Sequence, residues 1–283
     1  MIKTKDKIKI AGLIYKAIKF LKNIFFKNQD LNDLYVNRNG INWRLDLSEG
    51  IDLTIFLFGN SEKNLNNLKK LLPIEKKLTF IDIGANIGST SLNLVKQFKY
   101  SKIFAIEPTF YAFDKLKINI SLNDDLSKQV MPVNTLISNQ AIDNKIYSSW
   151  KINNDNASKV HKHHLGSPKK FTNEYISLDY FVDKFKINSV DFIKIDVDGN
   201  EKYVLESAIK TLEKFNPIIF LELAPYLYKE NNYKFDDLDT IFQRFEYSYF
   251  TSELKKIENI NKYVLNIDEG SSKNVYLIKN SSF

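Results

Sequence analysis

The sequence predicts an α/β fold built around a mostly parallel sheet, and three observations support that prediction. From Leu78 onward, apolar strand-like runs alternate with segments of helical spacing, as in parallel sheets covered on both faces. A glycine-punctuated turn joins the first such run to a helical pattern. Acidic residues end four of the predicted strands, at the edge where open α/β sheets bind ligands.

The composition is that of a globular protein with an excess of positive charge. The 283 residues are 43% hydrophobic and 27% charged, which suits one main domain with additions. The lack of cysteine excludes disulfides, thiolate metal ligands and a cysteine nucleophile. The net charge of +7 raises the question of nucleic acid, but lysines are spread along the sequence, so we expect no nucleic-acid partner. Without a membrane-spanning apolar run or a secretory pattern, we expect a cytoplasmic protein.

Residues 8–27 predict a basic amphipathic helix within a first segment, residues 1–30. Two interpretations of this helix stay open. It either docks on its own domain or on a second subunit, or it lies peripherally on an anionic membrane surface, at the inner face of the membrane. The predicted apolar side holds Ile10, Leu13, Ile14, Ala17, Ile18, Leu21, Ile24 and Phe25, and the other side holds Lys9, Lys16, Lys19, Lys22 and Lys27.

An N-terminal extension, residues 31–77, precedes the predicted main domain, residues 78–283. Alternating runs at 34–36 and 41–47 flank the turn dipeptide Asn39-Gly40 and predict a β-hairpin. The main domain then follows the strand and helix alternation. Its predicted strands cover 78–82, 102–106, 130–137, 191–196 and 217–222, and its predicted helices cover 88–98, 109–122, 200–213 and 236–245. A further segment of helical spacing, 62–72, belongs to the extension.

The end of the chain changes character. Tyr247–Thr251 and Val275–Ile278 read as strands without a crossover helix, which predicts an antiparallel hairpin completing a seven-stranded sheet. The polar segment 138–176 is predicted to be a long excursion above the sheet, and such insertions commonly shape substrate sites.

The turn Gly84-Ala85-Asn86-Ile87-Gly88 is the most informative motif. Its glycines permit a tight turn and close backbone approach to a nucleotide-like ligand. Asn86 stands where a dinucleotide fingerprint has its second glycine, so a nicotinamide cofactor is disfavoured. Asp82, just before the turn, offers a carboxylate to a cationic or amine-bearing ligand. S-adenosylmethionine, with a sulfonium, an amino acid end and no phosphate, fits this pattern.

The other strand-end acids suggest further roles. Glu107 ends the second strand, where a carboxylate accepts hydrogen bonds from adenosine ribose hydroxyls or caps the helix that begins near Thr109. Asp196 and Glu222 end adjacent strands, and together they provide a general base with an orienting group, or ligands for a hard cation. Turn chemistry alone can account for Asp198, and negative charge in the first turn of a helix can account for Glu201.

With these motifs, the chain resembles the FkbM family of S-adenosylmethionine-dependent methyltransferases, which have a class I Rossmann-like fold. The resemblance covers about residues 35–280, and this chain has Asp198 and Asn200 where the family more often has Glu and Ala. The matching segments are Trp43-Arg44-Leu45-Asp46 with Gly59-Asn60-Ser61-Glu62, the Ile81–Gly88 turn, Ala105-Ile106-Glu107-Pro108, the block from Ile193 to Glu201, and the strand from Pro217 to Glu222.

The resemblance implies roles for particular residues. Asp82, Gly84, Asn86 and Gly88 would hold the methionine end of the cofactor and Glu107 its ribose, with the adenine near residues 134–138. Family members methylate hydroxyls of sugars, polyketides and other small molecules. The resemblance therefore implies O-methylation of a small-molecule or glycan acceptor, such as a surface polysaccharide or glycolipid.

For an alcohol acceptor, we predict that Asp196 is the general base or positions it, with Glu222 as a supporting or acceptor-binding group. Two alternatives stay open: a base from His161, His163 or His164, and Mg²⁺ held by Asp196 and Glu222, although no metal ligand is assigned. The residues disfavour two other classes of protein. A base-amine methyltransferase is disfavoured because no Pro-Pro-aromatic motif follows Asp196, and a membrane-surface module on an inactive fold would lack the site carboxylates.

Overall fold

The structure, a computed structural model, describes residues 4–25, 30–141, 146–147, 151–152 and 168–280. The strands are β1 Leu34–Arg38, β2 Ile41–Leu45, β3 Thr79–Ile83, β4 Lys102–Ile106, β5 Val130–Val133, β6 Leu136–Ile137, β7 Ile146–Tyr147, β8 Pro168–Lys169, β9 Tyr175–Ile176, β10 Phe192–Ile195, β11 Ile218–Leu223, β12 Tyr247–Thr251 and β13 Lys273–Lys279. The helices are α1 Thr4–Phe25, α2 Gly50–Phe58, a 3₁₀ helix Lys63–Lys70, α3 Ser89–Gln97, α4 Phe110–Ser121, α5 Asp124–Ser127, α6 Leu178–Lys184, α7 Glu201–Glu206, α8 Ile209–Phe215, α9 Pro225–Glu230, α10 Phe235–Arg244 and α11 Ile260–Leu265.

Seven strands form the main sheet in the order β12-β13-β11-β10-β3-β4-β5. β10 pairs in parallel with both β3 and β11, whereas β13 runs antiparallel to β11 and β12. This is the class I Rossmann-like arrangement, and the predicted C-terminal antiparallel hairpin is confirmed. The topology brings the carboxyl ends of β3, β4, β10 and β11 to one edge.

The central strands are mostly apolar on both faces because helices cover both sides of the sheet, and Asp82 in β3 and Lys194 in β10 are charged exceptions near the functional edge. Side chains alternate between two cores: Phe80 and Phe192 point to one, and Ile81 and Ile193 to the other. The two phenylalanines are register partners, with ring centroids 5.7 Å apart in an edge-to-face arrangement. Packing on both faces therefore fixes the strand register that aligns the functional edge.

Two predicted elements are interrupted. The strand predicted at 130–137 ends at Val133, and β6 instead pairs with β9 outside the main sheet. The side-chain amide of Asn134, directly after β5, donates to the backbone carbonyls of Glu107 (2.8 Å) and Pro108 (3.1 Å). The helix predicted at 200–213 divides at Ser207, whose hydroxyl accepts from the Leu178 amide (3.0 Å) at the start of α6.

The N-terminal hairpin prediction is confirmed by β1 and β2, which pair antiparallel around Asn39-Gly40. The apolar run after Gly50 is α2, and the predicted helical spacing at 62–72 forms the 3₁₀ helix. Trp43 and Leu53 share a core with Phe80, so the extension packs on one face of the main sheet. Among the described residues, no helix combines the length and hydrophobicity needed to cross a membrane.

Candidate active site

A cavity of about 320 Å³ lies at the carboxyl ends of β3, β4, β10 and β11, within the size range of small-molecule sites. Five of the seven residues predicted for the site line it: Gly84, Asn86, Glu107, Asp196 and Glu222. Asp82 and Gly88 lie behind this wall. Other residues in the lining include Glu49, Ser61, Glu62, Thr135, Leu136, Ile137, Lys169, Lys194, Asp198 and Tyr226.

The glycine turn is pressed against the end of β10. Gly84 has a φ of +82°, and a Cβ there would lie 2.0 Å from the backbone oxygen of Asp196. Only glycine allows both this φ and this approach without strain. Asn86 also has a positive φ, of 50°, which asparagine tolerates better than most residues. Gly88 supports the turn from behind, since a Cβ there would meet Leu116 at 2.7 Å.

Asp82 is completely buried below the cavity. Its carboxylate accepts a hydrogen bond from the Ser91 hydroxyl (2.7 Å) and lies 3.7 Å from the Lys194 ammonium. Burial raises the pKa of Asp82, while Lys194 and Ser91 oppose that rise. Asp82 is therefore placed to hold Lys194 and the start of α3, and its predicted contact with the cofactor stays a prediction.

Glu107 joins the glycine turn to the start of α4. One carboxylate oxygen accepts from the Asn86 amide (2.9 Å), and the other accepts from both the amide (2.8 Å) and hydroxyl (2.6 Å) of Thr109. Burial raises the pKa of Glu107, and these hydrogen bonds oppose the rise. A carboxylate has about four acceptor positions, so it retains one for a ligand that enters the cavity.

Lys194 lies between two carboxylates at the base of the cavity. The Lys194 ammonium is 3.0 Å from an Asp196 oxygen, and its side chain is almost fully buried. Burial alone would lower the pKa of Lys194, but the charges of Asp196, Asp82 and Glu62 raise it above its ordinary value. Lys194 is therefore a fixed cation that orients Asp196.

Asp196, Asp198 and Glu222 form an acidic cluster in which one oxygen from each lies within 4.8 Å of the others. Desolvation, followed by the charge of Asp196, raises the pKa of Asp198 to about 7. The same two causes raise the pKa of Glu222 well above its ordinary range, although Ser272 donates a hydrogen bond to it. The cluster concentrates negative charge, which favours a cationic ligand or a shared proton. Turn chemistry alone therefore does not account for Asp198, which lines the cavity with Asp196. The sequence signal for this role is its position two residues after Asp196 and directly before Gly199.

Glu201 supports the turn that carries Asp198. It is completely buried and accepts hydrogen bonds from the Gly199 amide (3.1 Å) and the Tyr233 hydroxyl (3.1 Å). Burial is the main reason that the pKa of Glu201 is raised to about 7. Glu201 thus contacts backbone and Tyr233, and it positions Asp198 indirectly.

A second polar group lines the cavity near the start of α4. The Tyr111 hydroxyl donates to Glu49 (2.8 Å), whose carboxylate also pairs with Lys151 (2.9 Å). The Lys169 ammonium lies 4.3 Å from the Tyr111 ring centroid, and desolvation lowers the pKa of Lys169. These residues come from separate parts of the chain, so no local spacing pointed to this group.

The remaining predictions concern the adenine site, the segment 138–176 and the three histidines. Near the predicted adenine site, Thr135, Leu136 and Ile137 line the cavity. Of the segment 138–176, Ile146 and Lys169 contribute to the lining. The alternative bases His161, His163 and His164 lie outside the described residues, so that alternative stays open.

The family profile described as the methyltransferase FkbM domain matches residues 82–249. The chain therefore belongs to the FkbM methyltransferase domain family, and the resemblance seen in its sequence is confirmed. Among curated proteins, methyltransferase sdnD of Sordaria araneosa is 45% identical over 47 residues, which is 17% of this chain and 18% of that protein.

Solved structures with similar folds include the methyltransferase FkbM of Methylobacillus flagellatus KT. It is 14% identical, with a TM-score of 0.41, over 74% of this chain and 45% of that one. TYW2 of M. jannaschii, solved in complex with AdoMet, is 16% identical, with a TM-score of 0.43, over 88% of this chain and 85% of that one. The chain spans less than half of the curated relative and of the first structure.

Proposed function

We propose that the protein transfers a methyl group from S-adenosylmethionine to a hydroxyl of a glycan or other small molecule. This proposal rests on one observation: the glycine turn, Glu107 and the acidic cluster line the same cavity. Membership of the FkbM methyltransferase domain family supports the same reaction class. The choice of a hydroxyl acceptor rests on the carboxylates, which suit removal of an alcohol proton.

In the proposed complex, the glycine turn and Glu107 bind the methionine and ribose portions, and residues 135–137 flank the adenine. Glu62 offers a carboxylate to the methionine ammonium beside the turn, where the Ser61 hydroxyl is 2.7 Å from the Ser89 hydroxyl. Within the described residues, no phosphate-binding lysine follows the turn in the lining. This donor set fits a cofactor that is cationic and lacks phosphate.

The proposed reaction is an in-line displacement, in which the acceptor oxygen bonds to the methyl carbon as the carbon–sulfur bond breaks. The electron pair of that bond stays on sulfur, which leaves S-adenosylhomocysteine. Asp196 takes the hydroxyl proton as the new bond forms. The Lys194 ammonium, 3.0 Å from a carboxylate oxygen of Asp196, keeps that carboxylate in place. Glu222 orients the acceptor from the adjacent strand.

The acidic cluster favours a second arrangement, in which Asp196, Asp198 and Glu222 hold Mg²⁺. Three carboxylates within 4.8 Å are a donor set that suits this hard cation. Such an ion, if bound by these three carboxylates, would lower the pKa of a bound hydroxyl and so lessen the need for a base. Titration calorimetry with Mg²⁺, comparing the native protein with Asp198→Asn, separates the two arrangements. Absence of Mg²⁺ binding, together with full activity after exhaustive chelation, rejects the metal.

The base assignment is tested by Asp196→Asn, with the exposed Asp183→Asn as a matched control. We expect S-adenosylhomocysteine affinity to stay within about twofold, while methyl transfer falls by about 100-fold or more. Normal turnover of Asp196→Asn would reject Asp196 as the base.

The acceptor is tested with methyl-tritiated S-adenosylmethionine and the glycan and lipid fractions of the source cells. Label in a methyl ether, which survives mild alkali, supports the proposal. Label released by alkali as methanol indicates a carboxyl acceptor, and label in nucleic acid indicates a different class of substrate; either result contradicts the proposal.

A further inference from the structure

The N-terminal helix α1 has two apolar faces. Ala11 and Tyr15 are buried in the core that α1 shares with the hairpin and α2, and Ile18 packs against the same core. The Tyr15 hydroxyl also donates to the Asn32 side chain (3.3 Å). One face of α1 is thereby docked on its own domain, as one interpretation of the sequence predicted.

The opposite face is exposed. Ile10, Leu13 and Phe20 are 48%, 69% and 84% exposed, and Ala17 lies between them. Their spacing of three and four residues places them in one stripe along the helix. The sequence had suggested a single apolar side, but the structure divides those residues between a buried face and an exposed one.

The exposed stripe is bordered by positive charge. Lys9, Lys16 and Lys19 are exposed, and residues 9–20 contain no acidic side chain. In the part of the chain that the structure describes, none of these three lysines forms an ion pair with a carboxylate. An exposed apolar stripe flanked by lysines is the surface that helices lying on anionic membranes present.

We propose that this face of α1 binds the surface of an anionic lipid bilayer, with Leu13 and Phe20 inserted and the lysines at the headgroups. A second copy of the chain is a poorer occupant, because a symmetric pairing would bring the two sets of lysines together. α1 packs on α2, and Glu49 and Ile51 at the start of α2 line the cavity. The helix that contacts the bilayer thus packs on an element of the cavity wall. Resting on the proposed function, this placement suits an acceptor that is linked to lipid.

Co-sedimentation of the full chain with vesicles tests the proposal. Equimolar phosphatidylglycerol and phosphatidylcholine provide the anionic surface, and phosphatidylcholine alone is the neutral comparison. We expect binding to the anionic vesicles and much weaker binding to neutral ones. A lysine near such a surface contributes about 1 kcal/mol, or about fivefold, so Lys9, Lys16 and Lys19 together contribute on the order of 100-fold.

Two sets of variants assign the contact. Leu13→Ser with Phe20→Ser removes the apolar insertion, and its control is Leu265→Ser, which changes a residue of α11 that is also 84% exposed. Lys9, Lys16 and Lys19→Gln removes the positive charge, and its control is Lys69, Lys76 and Lys77→Gln, a triple change at exposed lysines elsewhere. Only the α1 variants are expected to lose binding, with circular dichroism confirming that each variant is folded.

Equal vesicle binding by the α1 variants and their controls overturns the proposal, as does failure of the native chain to bind anionic vesicles. A native dimer in analytical ultracentrifugation that Leu13→Ser with Phe20→Ser converts to a monomer assigns the face to a second copy instead, which also overturns it. Vesicle binding requires neither cofactor nor acceptor. Its failure is therefore distinguishable from a failure of the proposed methyl transfer.

Discussion

At the scale of single residues, Gly84 is a position in the cavity wall that accepts no residue with a side chain. Its positive φ and the 2.0 Å approach to the Asp196 backbone oxygen both exclude a side chain. This contact couples the glycine turn to the strand that carries the predicted base. The position of the turn relative to Asp196 is consequently set by backbone packing.

We predict that Gly84→Ala lowers the free energy of unfolding by more than about 2 kcal/mol, because the new Cβ clashes and the backbone is strained. Urea denaturation measures the change. The control is Gly12→Ala in α1, where a Cβ meets Ile152 at 3.7 Å and no other side chain among the described residues. That control is expected to be stabilising by about 0.5–1 kcal/mol. Equal stability of Gly84→Ala and the native protein would contradict the close approach described here.

The buried carboxyl group of Glu201 makes the free energy of unfolding depend on pH. Burial raises its pKa from 4.5 in the unfolded chain to about 7 in the folded protein. Between these pH values the folded state binds a proton that the unfolded state has released, so this group's contribution to stability is lost as pH rises. Glu201→Gln removes that contribution and retains an acceptor for the Gly199 amide.

We therefore expect the free energy of unfolding of Glu201→Gln to fall less steeply than that of the native protein between pH 4.5 and 7. Urea denaturation across this range measures both slopes. Glu206→Gln, on the same helix, controls for removal of a carboxylate. Identical slopes for Glu201→Gln and the native protein would show that Glu201 does not hold a proton in the folded state.

At the scale of elements, two buried asparagines, one on α4 and one just after it, attach to the N-terminal hairpin, and the one on α4 also attaches to the glycine turn. Asn119 is completely buried; its oxygen accepts from the Arg44 amide (2.8 Å), and its amide donates to the Ile87 carbonyl (3.0 Å). Asn123 makes two further hydrogen bonds to the backbone of Asn42. α4 is thus the link between β2 and the cavity.

We predict that Asn119→Ala lowers the free energy of unfolding by about 2–3 kcal/mol, since it leaves the Arg44 amide and the Ile87 carbonyl unpaired. Hydrogen exchange at the Arg44 amide is expected to accelerate. Ser121→Ala, which removes an exposed hydroxyl from the same helix, is the control and is expected to change stability by less than about 0.5 kcal/mol. Unchanged exchange at Arg44 would contradict the attachment.

The element pattern could be predicted wherever local periodicity decided the structure. The strands around Asp82 and Asp196 and the final hairpin read directly from apolar runs and turns. The breaks after Val133 and at Ser207 could not be read in this way. Both are stabilised by hydrogen bonds to residues distant in the chain, at Glu107 and Leu178.

At the scale of the whole molecule, topology explains which parts of the candidate site were predictable. Asp196, Glu222 and Glu107 lie at the ends of strands that run parallel in one sheet, so the sheet alone brings them to one edge. Tyr111 and Lys169 reach the cavity from a helix and a short covering strand. Their position at the cavity depends on tertiary packing, which cannot be predicted from a local sequence pattern.

The central claim is that the cavity at the ends of β3 and β4 binds S-adenosylmethionine. Isothermal titration calorimetry of the full chain with S-adenosylmethionine, S-adenosylhomocysteine and NADH tests it most directly. We predict one site for each of the first two ligands, with dissociation constants between about 1 μM and 1 mM, and no heat with NADH. Heat from NADH, or none from either sulfur compound, would contradict the account.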